Sequence, residues 1–384
     1  MIDRERAVAG AAPAVAIIGA GIAGLTAAAT LRKVGLRAQI YEQAEAFARV
    51  GAGIQMNPNA MKVLRGLGLE ERIRRAGFAP QLGYNREWDS GEITYLHPMG
   101  AEIERRFGAP DISLHRAELH AALLSVNAPG IIHFNKKLAG LERAGGALRL
   151  AFADESEARA DAVIGADGVH STVLEILFGS GEPRFTGQVA YRAIYRSALL
   201  GTEVDDRVKW WGPGRHIVSY KVDPRRDELY FLARTPEPEF RIESWSGHGD
   251  LTQLRAAFAG FHPNARIILD RCPEVRKWAL VERDPLPRWC KDNVVLIGDA
   301  CHPMLPYMAQ GAGSSMEDAV VLARCLDGCE PDGFGAAFRR FERNRKERTS
   351  RIQLGARKNA WMRTATDTDT AWLYDYDAWT VPLI

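Results

Sequence analysis

A glycine-rich turn between a strand and a helix near the N-terminus constrains the fold of this chain most. Val15 to Ile18 is a short apolar run that predicts a buried strand, and Gly19, Gly21 and Gly24 follow it where a helix should begin. The first glycine permits a tight turn, the second lets the backbone approach a pyrophosphate, and the third lets helix and sheet pack closely. The helix N-terminus can then hold negative phosphates. The pattern predicts a dinucleotide-binding α/β domain.

An acidic residue follows the second predicted strand of this domain. The strand runs from Arg37 to Tyr41, and the carboxylate of Glu42 can accept hydrogen bonds from both hydroxyls of an adenosine ribose. Because an acid here disfavours a ribose phosphate, we expect FAD or NAD rather than NADP. Only one Gly-x-Gly-x-x-Gly follows a strand, so a second nucleotide coenzyme would visit the protein rather than reside in it.

Two later strands also end in acidic turns. They are Ala162 to Ile164, which leads to Asp167 and Gly168, and Val294 to Ile297, which leads to Gly298 and Asp299. Asp299 can accept hydrogen bonds from ligand hydroxyls, whereas the turn at Asp167 could equally be a structural helix cap. The segment from Pro306 to Gly313 then leads into a helix whose N-terminus would point N–H groups at the negative edge of a reduced flavin.

The chain alternates between two kinds of segment. Short apolar runs predict one α/β domain with a parallel sheet, and aromatic and β-branched alternation predicts an inserted antiparallel sheet that would bind substrate. The α/β pieces occupy residues 14–80, 111–180 and 281–326, the inserted sheet 81–110 and 181–280, and a C-terminal part 327–384. The predicted fold class is α/β with an α+β insert, combining a Rossmann-like lobe, an antiparallel-sheet lobe and a long C-terminal helix.

The C-terminal part has two features of its own. Spacing of phenylalanines predicts a helix from Phe334 to about Met362, and the basic run 341–351 contains interleaved glutamates that indicate a solvated helix face. The tail 371–379 is rich in Trp and Tyr, which predicts packing onto the body of the protein or onto a partner subunit.

Composition excludes several functions. Fifty basic and 48 acidic side chains leave a net charge of +2, so we expect no nucleic-acid partner. The apolar stretch Ala7 to Leu31 carries the glycines of a strand, turn and helix, so we expect no membrane segment. The cysteines lack paired metal-ligand spacing, which indicates neither disulfides nor a metal site and fits a reducing cytoplasm. Cys301 and His302 are neighbours in a turn and are not expected to act as nucleophile and base.

These motifs, in this order, resemble the single-component aromatic-ring hydroxylases, the FAD-dependent monooxygenases typified by p-hydroxybenzoate hydroxylase. The resemblance covers essentially the whole chain and is strongest to 6-hydroxynicotinate 3-monooxygenase and to the salicylate and 3-hydroxybenzoate hydroxylases. The segments that carry it are Arg49 to Gln55, Leu114 to Arg116, Val208 to Trp211 with Arg215 and His216, Lys277 with Trp278, Asp284 to Trp289, Asn344 to Arg348 and, most specifically, Gly298 to Gly313.

The resemblance implies a tightly bound FAD. In the family NADH or NADPH reduces the flavin, O2 adds to it as a flavin hydroperoxide, and one oxygen passes to an activated ring. Arg116 and Asp299 would hold the middle of FAD, and Asp167 and Gly168 would also meet the visiting nicotinamide nucleotide. The residues implied to bind FAD are Gly19, Gly21, Ala23, Gly24, Glu42, Gln43, Arg49, Gly53, Arg116, Asp167, Gly168, Gly298, Asp299, Pro306, Gly311, Ala312 and Gly313.

A substrate of this family becomes more nucleophilic when its ring hydroxyl loses a proton, so a base with a pKa near the working pH is useful. His216 and Tyr220 lie four residues apart in a predicted strand and therefore on one face. The alternative, that both simply fill the sheet face, fits the spacing equally well. The candidate catalytic residues are His216, Tyr220, Tyr307 and Pro306, and those for substrate binding are Gln55, Arg207, His216, Tyr220, Tyr230 and Tyr307.

The chain departs from the 6-hydroxynicotinate enzymes in the expected substrate pocket. Those enzymes carry histidines at the positions of Gln55 and Tyr307 and a small residue at that of Arg207. The resemblance therefore implies a small hydroxylated aromatic or pyridine carboxylic acid as substrate, with decarboxylation left open, and a monomer or homodimer. Two alternatives remain: a flavin-dependent oxidase or dehydrogenase without oxygen insertion, and a non-catalytic flavin-binding redox sensor.

Overall fold

The computed structural model describes residues 14–48, 51–179, 181–240, 247–358 and 371–384. The strands are β1 (Ala14–Ile18), β2 (Arg37–Tyr41), β3 (Gly53–Met56), β4 (Leu82–Glu87), β5 (Ile93–Pro98), β6 (Ile112–His115), β7 (Ile132–His133), β8 (Leu138–Ala144), β9 (Ala147–Phe152), β10 (Glu157–Ala160), β11 (Ala162–Gly165), β12 (Arg184–Arg196), β13 (Arg207–Gly212), β14 (Arg215–Lys221), β15 (Glu228–Pro236), β16 (Arg276–Glu282), β17 (Cys290–Lys291) and β18 (Val294–Leu296).

The helices lie between and after these strands. They are α1 (Ile22–Lys33), α2 (Pro58–Gly66), α3 (Glu70–Ala76), α4 (Ala101–Phe107), α5 (Arg116–Ser125), α6 (Thr172–Phe178), α7 (Leu251–Ala257), α8 (Pro263–Asp270), α9 (Gly311–Leu326), α10 (Phe334–Arg357) and α11 (Ala371–Tyr374). Within the described ranges, no helix is long and apolar enough to cross a membrane.

A six-stranded sheet carries the glycine-rich turn. Its strand order is β17-β18-β11-β1-β2-β7, and every neighbouring pair is parallel except β17 with β18 at one edge. Helices α1 and α9 pack against each other beside it, and α1 is buried from Ile22 to Leu31. A sheet covered in this way needs strands that are apolar on both faces, which explains the continuous apolar runs in the sequence. The predicted parallel sheet is confirmed.

A seven-stranded sheet has the order β16-β12-β15-β14-β13-β4-β5. The sequence predicts an antiparallel sheet, and this is wrong for one pair, because β13 and β4 run parallel. A parallel pair needs a long crossover, and more than a hundred residues separate β4 from β13. A separate three-stranded antiparallel sheet, β10-β9-β8, was not predicted. The mixed architecture agrees with the predicted fold class, while the domain boundaries stay a prediction.

The two faces of the seven-stranded sheet have different partners. Val208, Trp210, Ile217 and Phe231 point to one side, where they form a core with the residues of α7 and α8. The opposite face packs around the segment that precedes α9 and around α10. Because side chains alternate along a strand, the residues that lie between these four in sequence point to the opposite face. This alternation decides which side chains can reach a ligand.

Helix α10 is more buried than the sequence predicts. Arg345 is fully buried, and its guanidinium pairs with Glu317 at 2.8 Å and Asp318 at 2.8 Å on α9. The prediction of a solvated face is therefore wrong at this position, because two buried acids on the neighbouring helix require a buried cation. The helix ends at Arg357, and the predicted extension to Met362 lies outside the described residues.

The aromatic tail packs onto the body of its own chain. Lys62 donates hydrogen bonds to the carbonyls of Tyr374 and Asp375 at 2.9 and 3.0 Å. The indole N–H of Trp379 donates to the Val63 carbonyl at 3.3 Å. Of the two expectations for this segment, packing on the body is the one observed.

Candidate active site

A different steric requirement explains each glycine of the turn between β1 and α1. Gly19 has φ +102°, and a Cβ there would lie 2.5 Å from the Ala166 carbonyl oxygen. A Cβ on Gly24 would lie 2.0 Å from the Gly19 carbonyl oxygen, so the close packing of helix and strand depends on it. A Cβ on Gly21 would meet nothing within 4 Å, and this residue lines a large cavity. The open space therefore lies where a pyrophosphate is expected.

The N-terminus of α1 opens onto the same cavity. Its first intrahelical hydrogen bond runs from the Leu25 N–H to the Gly21 carbonyl at 3.0 Å, and no side chain caps the helix. The preceding N–H groups of Ile22, Ala23 and Gly24 have no acceptor within the helix, and Ile22 and Ala23 line the cavity. These donors and the positive helix end fit a pyrophosphate group.

Glu42 is fixed beside this turn. Its two carboxylate oxygens accept hydrogen bonds from the backbone N–H groups of Ala20 and Ala44 at 2.8 and 2.9 Å. A carboxylate oxygen has a further lone pair, so Glu42 can still accept from ribose hydroxyls. Gln43 follows it in sequence, and the predicted FAD ligand Arg49 lies outside the described residues.

Asp167 caps a helix. Its carboxylate accepts hydrogen bonds from the Ser171 hydroxyl at 2.5 Å and from the Val173 N–H at 3.1 Å, at the start of α6. Burial raises the pKa of this carboxyl group. The cavity itself is lined by the neighbours Ala166 and Gly168. The predicted helix cap is therefore present, and contact of Asp167 with FAD or the nicotinamide nucleotide stays a prediction.

A cavity of about 460 Å³ extends from the glycine turn to the seven-stranded sheet, which is the size of a typical ligand pocket. Most predicted site residues line it: Gly21, Ala23, Gly53, Gln55, Arg116, Gly168, His216, Tyr220, Tyr230, Asp299, Pro306, Tyr307, Gly311 and Ala312. The predicted residues that do not line it are Gly19, Gly24, Glu42, Gln43, Asp167, Arg207, Gly298 and Gly313. Residues from distant parts of the chain thus meet around one space.

Arg116 and Asp299 supply opposite charges to this cavity. Burial lowers the pKa of Arg116, and the nearby Asp299 raises it. Burial raises the pKa of Asp299, while His302 and Arg116 lower it. The pair can therefore offer a donor to phosphate oxygens and an acceptor to the hydroxyls of a flexible linker.

Cys301 and His302 lie beside the cavity but do not line it. Their ligand atoms and those of Asp318 are within 4.8 Å of one another, closer than expected for neighbours in a turn. The His302 Nε2 contacts an Asp318 oxygen at 2.5 Å, and Asp318 also accepts from Gly298 N and from Arg345. His302 and Asp318 thus belong to the ion-pair network that joins α9 to α10, while the Cys301 thiol donates to the Gly298 carbonyl at 3.4 Å.

The N-terminus of α9 forms another wall. Gly311 and Ala312 line the cavity, and no side chain caps this helix. The side chain of Gln310 is turned away, donating to Asn57 at 3.0 Å and accepting from Asn59 at 2.9 Å. The N–H groups of the first turn can therefore face a negatively charged ring edge.

His216 and Tyr220 project from β14 into the cavity on the predicted common face. His216 is 3% exposed, its Nδ1 has no hydrogen-bond partner among the residues described, and its ring lies 5.2 Å from that of Tyr307. Burial, followed by Arg234 and Lys209, lowers the pKa of His216 well below its usual value. The imidazole is therefore neutral near pH 7 and can accept a hydrogen bond.

Tyr220 pairs with Tyr230, whose ring lies 4.9 Å away. Burial raises the pKa of Tyr220 well above 10 and that of Tyr230 to about 12. Both phenols are protonated near pH 7, so they are hydrogen-bond donors rather than bases. A Cβ on Gly53 would lie 2.6 Å from Tyr230, so the glycine allows this pair its position.

Four large side chains of the cavity were not among the predicted site residues: Lys209 and Trp211 on β13, Arg192 on β12 and Trp278 on β16. Alternation along β13 from Arg207 already indicates the first two. The other two come from strands that are distant in sequence, and the Arg192 guanidinium lies 4.3 Å from the centre of the Trp278 ring. Burial lowers the pKa of Arg192 to about 10.

A second cavity of about 230 Å³ adjoins the first. Gln55, Lys209, Tyr307 and Ala309 line both of them. Arg207 lines only the second, where its guanidinium binds the Asp111 carboxylate at 2.6 Å. The predicted substrate ligand Arg207 is therefore held behind the main cavity by an ion pair.

Known proteins resemble this chain over most of its length. Residues 13–351 match the family described as FAD binding domain. The chain is 41% identical to 6-hydroxynicotinate 3-monooxygenase of Bordetella bronchiseptica over 97% of each chain. It is 32% identical to 3-hydroxybenzoate 6-hydroxylase of Klebsiella oxytoca, over 89% of this chain and 86% of the relative.

Solved structures share the fold of this chain. Klebsiella pneumoniae HpxO, complexed with FAD and uric acid, has a TM-score of 0.81 at 26% identity and covers 92% of this chain and 90% of its own. A salicylate hydroxylase substrate complex shares the fold, with a TM-score of 0.82 at 24% identity over 96% of each chain. The predicted family and its FAD cofactor are confirmed. This chain belongs to the FAD-dependent aromatic-ring hydroxylases, the single-component flavoprotein monooxygenases.

Proposed function

We propose that this enzyme hydroxylates a small hydroxylated aromatic or pyridine carboxylic acid, using FAD, NADH or NADPH, and O2. The observation that carries the proposal is the single cavity that joins two uncapped helix N-termini to a buried His216 whose Nδ1 has no partner among the described residues. Relatives named for hydroxynicotinate and hydroxybenzoate support this substrate class.

The chain's own groups fit FAD along the cavity. The α1 N-terminus at Gly21 would bind the pyrophosphate, Glu42 the ribose, and Arg116 with Asp299 the linker. The α9 N-terminus at Gly311 would stabilise the negative edge of the flavin ring. When bound, FAD supplies the transfer of electrons from the nicotinamide nucleotide and the activation of O2.

Two side chains would orient the substrate hydroxyl. The neutral His216 accepts a hydrogen bond from this hydroxyl at Nδ1, which increases electron density on the ring. Arg234 and Lys209 disfavour a protonated imidazole, so His216 polarises the hydroxyl without retaining its proton. Tyr220 remains protonated and can donate a hydrogen bond to the same oxygen.

The surrounding walls suit a flat ring. Trp211, Tyr230 and Leu232 of the sheet are buried, and Pro306 with Tyr307 covers the opposite side. Aromatic and aliphatic walls stack on a planar ring and exclude water, which limits the wasteful loss of activated oxygen. These walls would place one planar substrate ring beside the flavin ring.

The test is a screen of hydroxybenzoates and hydroxypyridine carboxylic acids against the purified FAD-loaded protein. We expect at least one acid to accelerate NADH or NADPH oxidation and to yield a product heavier by one oxygen atom or, where decarboxylation occurs, a product that has gained one oxygen atom and lost CO2. Nucleotide oxidation with no oxygenated product would support an oxidase or dehydrogenase instead. No stimulation by any acid would favour a redox sensor. Gel filtration of the same sample distinguishes a monomer from a homodimer.

A further inference from the structure

Lys209 occupies the junction of the two cavities. It lies on β13, opposite Val218 of β14 on one side and Asn85 of β4 on the other. Alternation along β13 turns Arg207, Lys209 and Trp211 toward the site, and only Lys209 of these three lines both spaces. Its ammonium group is therefore placed where a substituent of a bound ring can reach it.

The ammonium group of Lys209 has no hydrogen bond or ion pair among the described residues. The neighbouring Arg207 is neutralised by Asp111 at 2.6 Å. Asp111 is the negatively charged group that acts on Lys209, and its carboxylate is bound to Arg207. His97 and His216 are neutral, because burial lowers the pKa of His97 to about 4 and that of His216 well below its usual value. Lys209 is half-buried, and a partly desolvated cation without a counter-ion is stabilised by a ligand that supplies one. A negatively charged group of a ligand would therefore be stabilised beside Lys209.

We propose that Lys209 binds the carboxylate of the substrate and that this contact selects hydroxylated acids over uncharged phenols and hydroxypyridines. This inference rests on the proposed function and adds to it the group that recognises the acid. The amide of Gln55, which lines the same junction, can donate a second hydrogen bond to the carboxylate.

The geometry of the sheet fits a one-ring acid. Trp211 pairs with His216 and Lys209 with Val218, so Lys209 and His216 are diagonal neighbours on adjacent strands. The Cα atoms of such diagonal neighbours are separated by roughly 7–8 Å. A six-membered ring can therefore direct its hydroxyl to His216 and its carboxylate to Lys209, which would fix the ring's orientation in the cavity.

The experiment measures substrate binding rather than turnover. Isothermal titration calorimetry on the FAD-loaded enzyme would compare each hydroxylated acid with its analogue lacking the carboxylate, in wild type, Lys209→Met, Lys209→Arg and Lys221→Met. Lys221 is a matched control because it lies on the same sheet, lines neither cavity and donates to the Ser197 hydroxyl at 3.0 Å. FAD content and melting temperature verify that each variant is folded.

We expect Lys209→Met to weaken binding of the acid by about 10- to 100-fold, the usual cost of losing a charged hydrogen bond, and to leave the uncharged analogue within about twofold. Lys209→Arg should retain most of the preference, and Lys221→Met all of it. Unchanged acid binding in Lys209→Met would overturn the inference while leaving the proposed function intact. An equal loss for acid and analogue would also overturn it, since Lys209 would then only shape the cavity. If wild type binds none of the acids, both proposals fail together.

Discussion

The residues that face the proposed substrate are controlled by burial. His216 and Tyr220 share one strand face, and low exposure moves their pKa values in opposite directions, downward for the imidazole and upward for the phenol. Near neutral pH one is therefore an acceptor and the other a donor. A substrate hydroxyl requires both kinds of partner.

Replacing His216 tests the acceptor role. We expect His216→Ala to lower kcat for the hydroxylated acid by roughly tenfold, the order of magnitude for the loss of one hydrogen bond to the substrate hydroxyl. FAD should stay bound, because His216 lies on the sheet wall and not on the helix ends that would hold the cofactor. Turnover and the flavin absorbance spectrum are the two measurements. Loss of FAD from the variant would assign His216 a structural role.

Lys209 gives the binding step a pH dependence. Burial, then Arg207, lowers the pKa of Lys209 to about 8, with Asp111 acting in the opposite direction. The lysine is charged below that pH and neutral above it. The affinity of the free enzyme for the acid should therefore be constant below pH 8 and fall by about tenfold per pH unit above it. Calorimetric titrations from pH 6.5 to 9.5 measure this dependence.

The control for this titration is Lys209→Arg. A guanidinium stays protonated throughout the range, so its acid affinity should not fall above pH 8. Arg207 is paired with Asp111, and His97 and His216 are neutral throughout, so they do not produce such a change. An identical fall in wild type and Lys209→Arg would show that another group titrates.

At the scale of elements, the strand, turn and helix at β1 and α1 separate two roles of glycine. Gly24 sits where a side chain would strike the Gly19 carbonyl, while Gly21 borders open space. Gly24 is required for the turn and helix to form, and Gly21 is required for a ligand to approach. The same sequence motif therefore contains a folding requirement and a binding requirement.

Substitutions at these glycines should have different effects. Gly21→Val should fold normally but bind FAD at least about 100-fold more weakly, because its side chain fills the space at the helix N-terminus and removes charge-assisted hydrogen bonds. Gly24→Ala should instead lower the free energy of unfolding of the apoprotein by about 1–3 kcal/mol through overpacking. Chemical denaturation and FAD titration of both apoproteins measure the contrast. Similar loss of stability in both variants would refute it.

At the scale of the whole molecule, a buried ion-pair network connects distant parts of the chain. Arg345 of α10 meets Glu317 and Asp318 of α9, whose N-terminus lines the cavity, and lies 5.2 Å from the Tyr376 ring of the tail. Arg348 pairs with Glu317 and donates to tail carbonyls. The network holds the C-terminal part against the helix that would face the flavin.

Removing the central cation should destabilise the enzyme. Arg345→Met leaves two buried carboxylates less compensated, so we expect the free energy of unfolding to fall by about 3–5 kcal/mol. The exposed Arg343 lies two residues before Arg345, on the opposite face of α10, and Arg343→Met should change the free energy of unfolding by less than about 0.5 kcal/mol. Urea denaturation of the two variants provides the comparison. Equal stabilities would mean that Arg348 on Glu317, and His302 with the Gly298 N–H on Asp318, are enough to stabilise the two acids.

The sequence by itself determined the features that depend on local spacing. Three such features are the motif from Val15 to Glu42, the acidic turn at Asp299 and the alternation from His216 to Tyr220. Each spans few residues, so residue periodicity and turn chemistry are enough to identify it. The family and its FAD cofactor followed from these motifs. Their positions around a common cavity agree with that interpretation, and the roles of individual side chains remain predictions.

The tertiary structure decided what depends on contacts between distant segments. Local pattern could not reveal that β4 pairs in parallel with β13, that Arg345 is buried, or that Arg207 is neutralised by Asp111. Each of these depends on which remote groups approach, and burial and charge compensation are properties of the packed chain. For the same reason the proposed role of Lys209 can be inferred only from the fold, because two cavities meet beside this residue.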